Sequence, residues 1–61
     1  MTMTFDQRLQ QARDAGGFMR VFNKPRSDVP KFEMGEEGRQ LRRSWEEGWD
    51  AADAKLKGIG R

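Results

Sequence analysis

Between Met34 and Leu56 the apolar and small residues keep to one side of a helix. Met34, Gly38, Leu41, Trp45, Gly48, Trp49, Ala52 and Leu56 recur at spacings of three and four. At ~100° per residue they fall within an arc of about 100°. The stripe predicts one amphipathic helix over residues 35–57, and it argues against disorder in a chain of which 36% is charged. Glu36 and Glu37 suit the positive N-terminal end of such a helix, and Lys55 and Lys57 the negative C-terminal end. Gly58 reads as a C-cap, and Gly60 loosens a tail over 58–61.

Trp45 and Trp49, the two tryptophans of the chain, stand four apart and share a helix face, with Arg39, Arg42 and Arg43 just before them. Gly38 and Gly48 lie inside the stripe, where a missing side chain lets another helix approach.

That other helix is predicted over residues 4–16. Thr4 reads as its N-cap, Gln7 completes a capping box, and Asp6 favours the positive end. Phe5, Leu9, Ala12 and Gly16 then recur on one face. Each glycine costs about 1 kcal/mol in a helix interior, so Gly16-Gly17 reads as a helix end or kink. Beyond it Phe18, Val21 and Phe22 form an apolar cluster on a different face. The alternative is that the two glycines carry a close helix–helix contact.

The connector spans 17–34. Pro25 and Pro30 forbid a continuous helix, and Lys24, Arg26 and Lys31 make the segment basic. The fold expected is therefore all-α: a two-helix hairpin with a Pro-containing basic connector, one small domain over 1–61. Such a hairpin cannot cover both sides of two tryptophans. The remainder asks for a second copy, making a homodimer, or for a larger partner.

Composition narrows the chemistry. With no cysteine and no histidine, the chain can form no disulfide, no His/Cys zinc site and no histidine acid–base pair. No cofactor, metal or catalytic residue is expected. No apolar run approaches the roughly 18 residues that cross a membrane, and the beginning of the chain does not read as a signal peptide. The expected setting is cytoplasmic. Twelve basic against ten acidic residues give a net charge of +2, milder than a dedicated nucleic-acid binder shows.

The tryptophan pair admits three roles: a stacking platform for RNA bases, a hot spot on a protein partner, or simply the core against Phe5 and Leu9. Arg39, Arg42 and Arg43, with Lys24, Arg26 and Lys31 from a folded-back connector, would make a phosphate-binding surface. They would equally be neutralised by Arg42–Glu46 and Arg43–Glu47 pairs at i,i+4. Glu46, Glu47, Asp50 and Asp53 are expected to face solvent, opposite the tryptophan stripe.

The stretch Ser44-Trp45-Glu46-Glu47-Gly48-Trp49-Asp50-Ala51-Ala52 resembles the Trp-x-x-Gly-Trp-x-x-Ala motif of the ribosome modulation factor family. Members are of this size and pair two helices through a connector. The family's Cys-Pro-Tyr or Asn-Pro-Tyr element has Val29-Pro30-Lys31-Phe32 as its nearest match here, and its members are usually more basic, so this chain would be a divergent member. The resemblance implies binding to ribosomal RNA on the small subunit, blockage of messenger-leader pairing, and inactive ribosome dimers. It further implies that Trp45, Gly48, Trp49 and Ala52 pack the helices, leaving RNA to the basic residues.

Two functions are expected from this. One is RNA binding that inhibits translation by occupancy, with Lys24, Arg26, Lys31, Arg39, Arg42 and Arg43 on phosphates and Phe32 stacked on a base. The other is a helical inhibitor or adaptor of a host protein complex, of a phage or mobile-element kind, anchored by Phe22, Trp45 and Trp49.

Overall fold

The computed structural model describes residues 3–59. Helix α1 runs Phe5–Val21 and helix α2 runs Glu36–Ile59, with a short 3₁₀ turn, Arg26–Asp28, between them. The two helices pack against each other, and no strand occurs among the described residues. The all-α, two-helix expectation holds.

Helix α1 begins as its sequence dictates. The Thr4 hydroxyl accepts from the Gln7 N–H at 3.2 Å, and the Gln7 side-chain oxygen accepts from the Thr4 N–H at 2.9 Å. This reciprocal box satisfies two donors that the first turn leaves free.

Its end differs from the sequence reading. The helix continues through Gly16-Gly17 to Val21 instead of stopping at 16, so the close-contact alternative is the one realised. It stops at a C-terminal cap built on Asn23, whose φ of 63° is left-handed. The Asn23 N–H donates to the Arg20 carbonyl and the Lys24 N–H to the Met19 carbonyl, both at 2.9 Å. That pair of bonds is the Schellman pattern, and asparagine is the usual substitute for glycine there.

The connector does not simply turn the chain around. Contacts between the helices join Arg8 to Glu37, Arg13 to Gly48, and Arg20 to Asp53. Residue numbers rise together, so α1 and α2 run in the same direction. The connector must therefore travel back along the pair. Lys24 meets Trp49, Arg26 meets Asp50, and Glu33 meets Arg8. Gly35, at φ +104°, makes the bend into α2, and its carbonyl accepts the first helical bond from Arg39 at 3.1 Å.

Glycines set the spacing of the helices. A Cβ on Gly16 would overlap the Trp45 carbonyl oxygen, and one on Gly48 would overlap the Arg13 carbonyl oxygen. Gly16 follows Arg13 by three residues, and Gly48 follows Trp45 by three. The contact is thus reciprocal, with each glycine Cα–H directed at a carbonyl of the other helix. Gly38 serves a different neighbour from the one expected. It admits the Glu33 carbonyl of the connector, not a second helix. Gly58 lies within α2 and does not cap it, while Gly60 lies outside the described residues.

The core is Ala12, Leu41 and Trp45, with Phe5, Leu9, Met19, Val29, Phe32 and Trp49 packed around it. Leu9 and Phe5 come from α1, and Val29 and Phe32 from the returning connector. Met34, assigned to the stripe by its spacing, precedes α2 and is 98% exposed.

Candidate nucleic-acid interface

The tryptophan motif is spent on packing. Trp45 is 1% exposed and belongs to the core. Trp49 is half-buried, and its indole N–H donates to the Lys24 carbonyl at 2.9 Å. The Arg20 guanidinium lies 5.6 Å from the Trp49 ring centre, a cation–π distance. Gly48 admits α1, and Ala52 lies near Gly17. Trp45 therefore offers no free face to a base or a partner helix. Phe22 is the opposite case, exposed at the C-terminal end of α1.

Of the four acidic residues expected to face solvent, Glu47 and Asp50 are exposed, while Glu46 and Asp53 are half-buried. Arg26 donates through Nε and Nη2 to the two carboxylate oxygens of Asp50, each bond 3.1 Å, and its Nη1 lies 3.9 Å from Glu46. Arg20 donates to Asp53 at 2.7 Å, where Lys57 also reaches at 2.9 Å. The Arg20 hydrogen bond first, and the Lys57 one second, hold the Asp53 carboxyl below its ordinary value. Glu46, Asp50 and Asp53 therefore tie the connector and α1 to α2. The Asp53–Lys57 spacing announces one of these pairs. The tertiary pairs to Arg20 and Arg26 carry no local sequence signal.

The remaining cations cluster. Lys31, Arg39 and Arg42 border one groove between the connector and the start of α2, and Arg39, Arg42 and Arg43 border the next one along. The folding-back of the connector thus brings Lys31 to the arginines of α2, while Arg26 is diverted to Asp50. Lys24 exposes its side chain beside Trp49. Arg42 makes the expected pair with Glu46, at 3.6 Å, and Arg39 reaches Glu36 at 3.8 Å. The Arg39 pair is exposed at both ends and of the kind that contributes little and exchanges readily, while the Arg42 pair has an exposed arginine and a half-buried carboxylate. Among the described residues Lys31 and Arg43 have no acidic partner within the 4.0 Å of an ion pair, and no bridge joins Arg43 to Glu47. Phe32, a candidate base-stacking ring, is half-buried and anchors the connector on the core.

Because the helices run the same way, both N-termini lie at the end that carries Arg39. Their partial positive charges add to the basic surface, against Asp6, Glu33, Glu36 and Glu37 at the same end. Among the described residues no group of three His, Cys, Asp or Glu side chains is placed to hold a metal ion, and no helix is long and apolar enough to cross a membrane. No family model, no curated protein and no solved structure matches this chain at a significant level.

Proposed function

We propose that this chain binds RNA through Lys31, Arg39, Arg42 and Arg43 and inhibits translation by occupying ribosomal RNA, as a divergent relative of the ribosome modulation factor family would. The observation that carries this reading is that the returning connector brings Lys31 to the same surface as Arg39, Arg42 and Arg43, where the cations are interleaved with Glu33, Glu36 and Glu46. Exposed arginines with loosely held or no acidic partners can exchange them for phosphates, and the released counterions drive binding. The use of Trp45, Gly48, Trp49 and Ala52 for packing fits the role that the resemblance implies for the motif. Lys24 remains a candidate phosphate contact, whereas Arg26 and Phe32 are engaged within the fold.

A second reading, a helical inhibitor of a host protein complex, is favoured by the exposed Phe22. Trp45 is buried in the core and supplies no anchor for it, whereas Trp49 is half-buried beside Lys24. The test is co-sedimentation with ribosomes from a bacterial lysate, with and without ribonuclease. The RNA reading expects ribonuclease-sensitive association that is lost in Arg39→Ala/Arg42→Ala/Arg43→Ala. A single ribonuclease-resistant protein partner, with no ribosome association, overturns it.

A further inference from the structure

The returning connector covers one flank of the helix pair. On the other flank no connector residue borders the groove between α1 and α2. Its floor is Gly17, Gly48, Ala51 and Ala52, and its rim is Phe18 and Val21, which are 63% and 57% exposed. We propose that this flank is self-complementary and takes a second copy of the chain in a two-fold dimer.

Two observations point to a second copy. First, the surface carries both halves of a fit: a large aromatic knob, Phe18, and a hole floored by glycines and alanines. A two-fold interface requires that one patch supply both.

Second, the charges are placed for it. Asp14 borders the groove about one turn before Phe18. The Gly16–Trp45 and Gly48–Arg13 contacts set the register of α2, which puts Lys55 about one turn past Phe18. Asp14 and Lys55 thus flank the groove on opposite helices, at similar distances to either side of the Phe18 level. A two-fold axis that crosses the groove beside Phe18, oblique to the helices, sets each Phe18 over the other copy's groove and brings Asp14 of each copy toward Lys55 of the other. Among the described residues the Asp14 side chain accepts only from Gln10 of its own helix, at 3.0 Å. Lys55 has no acidic partner among the described residues. Arg13, the groove's other cation, lies beside Asp14.

Sedimentation equilibrium of the full chain across a concentration series tests this. The wild type is expected at the mass of two chains. Phe18→Glu should weaken the dimer about 100-fold, since both copies lose the central aromatic, with helicity by circular dichroism unchanged. Asp14→Lys or Lys55→Asp alone should weaken it about tenfold through like charges, and the two together should restore it. A single-chain mass at every concentration overturns the proposal, including the case where the flank instead binds lipid vesicles or another protein. So does a dimer indifferent to Phe18→Glu and to the charge exchange. The result stands apart from the RNA reading, whose residues lie elsewhere.

Discussion

Gly16 lies so close to the carbonyl oxygen of Trp45 that a methyl group there would take the oxygen's own space. The same holds for Gly48 and the Arg13 carbonyl. Two parallel helices are thus held at a separation that no other residue permits at either position. That spacing brings Trp45 under α1 and lets Arg20 reach Asp53.

Adjacent glycines should consequently respond with opposite signs. Gly16→Ala gains helix propensity but must push the backbones apart, a loss of about 1–3 kcal/mol or more. Gly17→Ala meets only ordinary contacts, 3.6 Å to the Gly48 carbonyl and 4.0 Å to Ala52. It should stabilise by about 0.5–1 kcal/mol. Urea unfolding followed by circular dichroism, in a Phe18→Glu background so that self-association does not enter, reads both. Equal effects from the two substitutions would refute the register.

The tryptophans should separate likewise. Trp45→Ala empties the core and is expected to cost about 3–5 kcal/mol, enough to unfold so small a chain. Trp49→Phe keeps most of the packing and loses the indole hydrogen bond to Lys24, for which about 1 kcal/mol is expected. Thermal melts of the two variants check this. A folded Trp45→Ala would mean that Trp45 is not the core.

The period-3.6 stripe and the Thr4–Gln7 box are local patterns, and both helices follow from them. So does the end of α1 in retrospect, since Asn23 followed two residues on by Pro25 is a C-terminal cap signal. Gly16-Gly17 masked it, because glycine's propensity cost argues for a break and only the tertiary contact with Trp45 offsets it. The direction of α2 had no local signal at all. It depends on a connector that doubles back, and the contacts that hold it there join residues more than twenty positions apart: Arg26 to Asp50, Trp49 to Lys24, Arg8 to Glu33. For the same reason Arg26 reads as a phosphate ligand in the sequence and as an internal tie in the structure.

Asp53 should make the fold acid-sensitive. Its folded-state carboxyl is held below the ordinary 3.8 by Arg20 and then Lys57. The carboxylate's contribution is therefore fully present well above that value, and it is lost as pH falls below about 5 and on through the folded-state value. Urea midpoints measured from pH 7 down to pH 3 should fall for the wild type. Asp53→Asn should start lower at pH 7 and fall less. Parallel curves for the two proteins would show that the Arg20–Asp53 pair does not respond to pH.

The basic residues should divide by salt dependence. Arg43 is exposed and makes no ion pair among the described residues, so Arg43→Ala should remove one phosphate contact. The slope of log affinity against log salt should then shrink by about 0.7 for single-stranded RNA. Arg26 is held by both oxygens of Asp50, so Arg26→Ala should leave that slope unchanged while loosening the connector. Asp50→Asn gives the complementary test. It releases Arg26 without removing its charge, and it should raise RNA affinity and steepen the slope. Titrations of a labelled ribosomal RNA fragment at several salt concentrations measure all three. If Arg26→Ala flattened the slope as much as Arg43→Ala, the Arg26–Asp50 pair would be one that RNA breaks, and Arg26 would join Lys31 in the binding surface.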